Sequence, residues 1–217
     1  MRARGSALVS VILVLLVLTI VGVGIAYFTS MEDRLSGNTR ITKAGFYAAD
    51  AGLRRGEALL TEVINLDSAA CGSQSLSQLL AATPPVLKVP GGGYDAHVLD
   101  LSKLPDVKTI ACLGPDARAY TNVLIPPPPS LTNLVVDKVS YSLYLRNNVD
   151  DPQGTDVVDT DNIVNLVSVG TVRLAAGVVV TKIVEEQLLL STGGASTGAQ
   201  KDVNAGGTNT ISTSKKS

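Results

Sequence analysis

The fold is decided by residues 7–28, ALVSVILVLLVLTIVGVGIAYF, which contain no charged side chain. At about 1.5 Å of rise per residue, this run would form a helix of roughly 33 Å, close to the thickness of the hydrocarbon core of a bilayer. Arg2 and Arg4 precede the run, and positive residues favour the cytoplasmic side of a membrane. We therefore predict one membrane-spanning helix over residues 6–28, with the rest of the chain outside the cytoplasm.

A secretory signal peptide is the alternative reading of the same run. Gly24 and Ala26 give the small-x-small pattern that signal peptidases prefer, and cleavage after Ala26 would release a soluble chain beginning at Tyr27. The run is longer than the usual apolar region of about 7–15 residues, and it continues without a turn signal into a second helical stretch. These two features favour the membrane anchor.

The second helical stretch, predicted over residues 29–67, has an apolar stripe on one side. Residues of this stripe recur at steps of three and four, the spacing of one face of an α-helix. They are Phe46, Ala49, Leu53, Gly56, Leu60 and Val63. We expect the membrane helix to continue as an amphipathic helix.

The head is predicted over residues 68–191. Residues 94–101, 138–146, 163–173 and 178–190 are rich in β-branched, aromatic or alternating side chains and predict strands. An antiparallel sheet with one face on the helical stripe gives an α+β fold. Residues 192–217 are mostly Gly, Ser, Thr and Asn, which predicts a flexible tail.

Charge and motif content argue against two function classes. With 18 Lys+Arg against 19 Asp+Glu and no basic run, the chain lacks the positive surface that nucleic-acid binding needs. His97 is the only histidine, and it falls in a predicted strand, where we expect it to be partly exposed. Since no nucleophile, phosphate-loop or dinucleotide signature is present, we predict no enzyme.

Two cysteines, Cys71 and Cys112, lie in the part predicted to be outside the cytoplasm, where disulfides persist. A bridge between them would close a loop of about 40 residues and stabilise the head by roughly 3–4 kcal/mol. Two free buried thiols are the alternative.

An acidic segment follows the strand predicted over residues 138–146. Its carboxylates are Asp150, Asp151, Asp156, Asp159 and Asp161. Calcium takes six to eight oxygen ligands, often from such loops, so these residues predict a calcium site. The EF-hand spacing is absent, and a solvated acidic loop without metal is the alternative.

Three features of the N-terminal residues occur in order: the segment Arg4-Gly5-Ser6-Ala7-Leu8-Val9, the apolar run, and the segment AGFYAADAGL at residues 44–53. Together they resemble the PilX family of minor pilins, and this resemblance implies that the α+β fold is pilin-like. It implies that residues 1–5 are a prepilin leader, that prepilin peptidase cleaves between Gly5 and Ser6, and that the new amino terminus at Ser6 is methylated. The implied partners are prepilin peptidase, major and minor pilins and the inner-membrane assembly platform.

One position departs from the pattern of major pilins. Most of them carry glutamate at the fifth mature residue, where this chain has Ser10, and its absence fits a minor, priming or tip-associated subunit better than a bulk subunit. Membrane and filament packing is assigned to Ser10, Gly22, Gly24, Phe46, Ala49 and Leu53. The small residues Gly22 and Gly24 would allow helices to approach closely in the bilayer.

We therefore predict a minor pilin of a type IV pilus, anchored in the inner membrane with a periplasmic head and displayed at the cell surface after assembly, with roles in pilus assembly, priming or adhesion. The alternatives are a pseudopilin of a type II secretion system, and a secreted binding protein or hydrolase with a cleaved signal peptide.

Overall fold

The computed structural model describes residues 4–64, 75–89, 93–104, 113–131, 136–191 and 194–202. It contains two α-helices, α1 (Arg4–Ile64) and α2 (Leu76–Ala81). The strands are β1 (Pro85–Leu87), β2 (Ala96–Val98), β3 (Val123–Ile125), β4 (Val136–Asn147), β5 (Ile163–Leu174), β6 (Val179–Ser191) and β7 (Gly194–Asp202). The chain divides into two compact units, Met1–Arg40 and Ile41–Ser217, and α1 belongs to both.

The first unit holds the apolar part of α1. Its large apolar side chains between Leu8 and Phe28 are each 48–68% exposed, as expected of a helix whose partner is a membrane or another helix. The hydroxyl of Thr19 donates to the carbonyl oxygen of Leu15 at 2.8 Å, so this polar group is satisfied within the helix. Among the described residues, α1 is the one helix long and apolar enough to cross a membrane.

In the second unit, the strands form one antiparallel sheet in the order β1-β2-β4-β5-β6-β7, and β3 also pairs with β4. The register of the central strands places Tyr141 opposite Gly170 and Leu145 opposite Leu166. A long N-terminal helix with an antiparallel sheet confirms the predicted α+β, pilin-like fold.

The C-terminal half of α1 supplies much of the core of this unit. Ala49, Leu53, Leu60 and Val63 are completely buried and belong to one apolar cluster with side chains of the sheet such as Leu166. Full burial of an aliphatic side chain of this size contributes about 1.5–3 kcal/mol. The predicted helical stripe is therefore the face that packs on the sheet.

Close approach between α1 and β5 depends on glycine at position 170. A Cβ atom there would lie 2.5 Å from the backbone nitrogen of Ala49 and would also collide with the carbonyl oxygen of Gly45. The facing helix residue is less constrained, because a Cβ on Gly45 would meet side-chain atoms and no backbone, namely Lys182 Cγ at 3.2 Å and Val172 Cγ2 at 3.9 Å. Strand β5 thus lies directly against the helix backbone.

A salt bridge ties α1 to the segment after Leu113. Arg55 Nη2 lies 2.6 Å from Asp116 Oδ1, and the hydroxyl of Tyr120 donates to the same oxygen at 2.9 Å. The hydrogen bond from Arg55 lowers the pKa of Asp116 below its usual value. Tyr120 is itself completely buried, so this contact fixes the segment on the helix.

Two sequence predictions need correction. His97 is completely buried rather than partly exposed, because its strand has β1 on one side and β4 on the other, and its Nδ1 lies 2.5 Å from the carbonyl oxygen of Thr83, just before β1. Part of the predicted flexible tail, Gly194–Asp202, forms β7 and pairs with β6. Edge-strand pairing uses backbone hydrogen bonds, which polar and glycine-rich segments can also make.

Candidate functional site

The N-terminal segment of α1 offers an apolar helical surface. Gly5 and Ser6, the predicted cleavage residues, lie in the first turn of α1, and Ser10 follows one turn later. Added Cβ atoms at Gly22 and Gly24 would meet nothing within 4 Å, so these two glycines leave open notches on the helix. Such notches let a second helix approach closely.

The assignment of Ala49 and Leu53 to filament packing is wrong. Both are completely buried in the core of their own chain, so neither side chain is available to a neighbouring subunit. Phe46 is partly buried and packs on the same core. On the exposed side of this part of α1 lie Tyr47, which is 60% exposed, and Arg54, whose side chain is 58% exposed.

The loop between β4 and β5 is organised by Asp151. Its carboxylate accepts hydrogen bonds from the hydroxyl and the backbone amide of Thr160, from the amide of Gln153 at 3.2 Å and from Asn147 Nδ2 at 3.4 Å. These donors, with the Thr160 hydroxyl first, lower the pKa of Asp151 to about 2. Asn147 Nδ2 also donates to the carbonyl oxygen of Val158 at 2.8 Å, which closes the loop across its base.

Three carboxylates meet in this loop. Asp151, Asp159 and Asp161 each place one oxygen within 4.8 Å of the others. Asp159 Oδ1 is buried and has no hydrogen-bond partner, and burial together with the charges of Asp161 and Asp151 raises its pKa to about 6. Asn148 Nδ2 donates to Asp161 Oδ2 at 2.9 Å, whereas Asn148 Oδ1 is buried without a partner.

Of the five acids that the sequence singled out, the structure brings three together. Asp150 is exposed, and neither it nor Asp156 belongs to the group of three described carboxylates.

The predicted disulfide lies outside the described residues, because Cys71 and Cys112 fall in segments 65–74 and 105–112.

Two buried glutamates in β6 were not anticipated from sequence. Glu185 Oε1 lies 2.5 Å from Arg146 Nη2, and both side chains are about 95% buried. Glu186 is 3% exposed, and burial and then the charge of Glu57 raise its pKa to about 7. The signal was present in the sequence IVEEQLLL, since two adjacent acids inside an apolar strand must point to opposite faces of the sheet.

Comparison with known protein families identifies a match in the N-terminal part of the chain. Residues 4–54 match the family model described as PilX N-terminal, a range that includes the exposed apolar part of α1 and the first turns buried against the sheet. No curated protein and no solved structure matches the chain. Residues 4–54 are therefore similar to the N-terminal domain of the PilX family.

Proposed function

We propose that this chain is a minor pilin that takes part in assembling a type IV pilus. One observation carries the proposal: the PilX N-terminal match at residues 4–54 includes the stretch from Leu8 to Phe28, whose large apolar side chains are exposed in the described part of the chain. In a pilin, the lipid bilayer covers this surface before assembly, and the helices of neighbouring subunits cover it afterwards.

Processing would prepare the helix for assembly. Prepilin peptidase would cleave between Gly5 and Ser6 and remove Arg2 and Arg4, whose charges would be costly among packed apolar helices. Methylation of the amino group at Ser6 would complete the mature terminus. The anchor would hold the protein in the inner membrane with its head in the periplasm until the assembly platform adds it to a filament.

The two halves of α1 would then have separate tasks. Residues 6–28 would pack among major and minor pilins, with Gly22 and Gly24 allowing close contact. The later turns are already buried against their own sheet, so only their outer face, with Tyr47 and Arg54, would meet a neighbour. Ser10 in place of a charged residue supports a minor role in priming, at the tip or in adhesion.

Cleavage is tested with cells that contain or lack prepilin peptidase. The mature N-terminal peptide is identified by mass spectrometry for the wild type, for Gly5→Val and for Gly22→Val. We expect wild type and Gly22→Val to begin at methylated Ser6 only when the peptidase is present, since a side chain at position 22 meets nothing within 4 Å. Gly5→Val should keep Met1, because a branched side chain blocks close approach to the backbone. A peptidase-independent terminus in the wild type would refute the proposed processing.

Two alternatives make different predictions. A pseudopilin of a type II secretion system would share the anchor. Cells lacking such a pseudopilin would accumulate secreted enzymes in the periplasm and would still have surface pili. A secreted binding protein or hydrolase would begin at Tyr27 after signal-peptide cleavage. The continuous helix across Ala26 and Tyr27 supports the anchored forms over this last alternative.

A further inference from the structure

We propose that the loop between β4 and β5 binds one calcium ion through Asp151, Asp159 and Asp161, with Asn148 Oδ1 as a further ligand. This function is independent of the N-terminal helix and of its processing.

The first argument is the convergence of charge. Oxygens from three carboxylates lie within 4.8 Å of one another, a separation at which like charges repel strongly in a partly buried site. The repulsion is most costly for Asp159, because its Oδ1 is buried and has no hydrogen bond to offset the loss of water. A divalent cation between the carboxylates converts the repulsion into attraction.

The second argument comes from Asn148, which is not one of the three carboxylates. This residue is only 2% exposed, and its Nδ2 donates to Asp161 Oδ2 at 2.9 Å, so the Oδ1 of the same planar amide also lies near Asp161. Its Oδ1 is buried and has no partner. A buried amide oxygen without a donor costs about 1–3 kcal/mol, and a metal ion beside Asp161 would satisfy it.

The ligand chemistry selects a hard cation. All four groups offer oxygen, and neither histidine nor cysteine is among them, so calcium or magnesium is favoured over zinc or copper. An irregular loop that mixes carboxylates and an amide suits the flexible coordination of calcium, whereas magnesium needs a nearly ideal octahedron. Backbone carbonyls and water would complete the six to eight ligands.

Binding would stabilise more than the loop. The backbone amide of Asp159 donates to Ser77 Oγ at 3.0 Å, and that hydroxyl lies 3.3 Å from the carbonyl oxygen of Asp159. Ser77 belongs to α2. An ion held by Asp159 would therefore fix the contact between the β4–β5 loop and α2.

The test is calcium titration of the full-length protein in detergent after removal of divalent ions. We expect a dissociation constant of about 0.1–1 mM, the range of extracellular calcium modules, and a rise in unfolding temperature of roughly 3–10 °C at about 10 mM calcium. Magnesium at the same concentration should give a much smaller rise, which separates binding from general ionic screening.

Matched variants locate the ion. Asp159→Asn and Asp161→Asn should lose the calcium response, whereas Asp150→Asn and Asp156→Asn, which remove the same charge outside the group, should keep it. Asp159→Asn should remain folded without calcium, because it removes a repelling charge, so loss of the response would not reflect unfolding. No calcium response in the wild type, an equal response to magnesium, or equal losses in Asp150→Asn and Asp159→Asn would each overturn the proposal.

Discussion

Replacement of Gly170 by alanine should destabilise the head, although alanine is normally the better residue in a strand. Its Cβ would lie 2.5 Å from the backbone nitrogen of Ala49 and would collide with the carbonyl oxygen of Gly45. Both obstacles are helix backbone, so α1 and β5 must separate and the apolar contacts on both sides of the glycine weaken. Overpacking of this kind costs about 1–3 kcal/mol, which corresponds to roughly 3–10 °C in unfolding temperature for a head of this size.

The matched control is Gly45→Ala, on the opposite side of the same contact. Its Cβ would meet side-chain atoms and no backbone, with Lys182 Cγ at 3.2 Å and Val172 Cγ2 at 3.9 Å, so a small shift of the Lys182 side chain relieves the contact. Alanine favours a helix over glycine by about 0.5–1 kcal/mol. We therefore expect Gly45→Ala to leave the unfolding temperature unchanged or raise it slightly.

The assay is thermal unfolding of the full-length protein in detergent, followed by near-ultraviolet circular dichroism. Tyr120 and Tyr141 are buried in the core at 0% and 7% exposure, so they report on the packing of the head, whereas helix content would also include the part of α1 inside the micelle. Equal unfolding temperatures for Gly170→Ala and Gly45→Ala would refute the inferred contact between helix backbone and strand.

Two further predictions concern the buried charges of β6 and β4. Because the pKa of Glu186 is raised to about 7 from 4.5, the folded state holds its proton more tightly than the unfolded chain. The stability from this group is therefore complete below about pH 4.5 and is lost as the pH rises through 7. In the wild type, this group should reduce the unfolding free energy by about 1–3 kcal/mol between pH 4.5 and 7.5, and Glu186→Gln should remove that reduction. An unchanged pH profile in the variant would contradict the raised pKa. Arg146→Met should cost about 3–5 kcal/mol by leaving Glu185 buried without its partner, and Arg146→Met with Glu185→Met should recover most of this loss. Equal stabilities of the single and double variants in urea denaturation would show that the ion pair is not the cause.

The helical part of the fold could be predicted because its signal is local. Ala49, Leu53 and Gly56 recur at steps of four and three, so they lie on a single face of a helix. The surface that this helix face packs against could not be predicted from the helix sequence alone. Ala49 and Leu53 suit a filament contact or an intramolecular core equally well by composition, and the approach of β5 at Gly170 decides for the core.

The acidic loop illustrates the limit for sites. The sequence identifies the five carboxylates, but which of them converge depends on the turns between β4 and β5, where Asp151 is held by Thr160 and Asn147. The contribution of Asn148 could not be predicted, because an asparagine in a polar loop is normally exposed. Strand β7 was missed for a related reason, since its pairing with β6 depends on the backbone.

The most direct test of the proposed role in a pilus is mass spectrometry of sheared, purified filaments from the native host. We predict that they contain this chain, beginning at methylated Ser6, and that the chain is absent from the sheared fraction of cells without prepilin peptidase. Recovery only from membranes with Met1 intact, or from the culture medium with a terminus at Tyr27, would contradict the minor-pilin function.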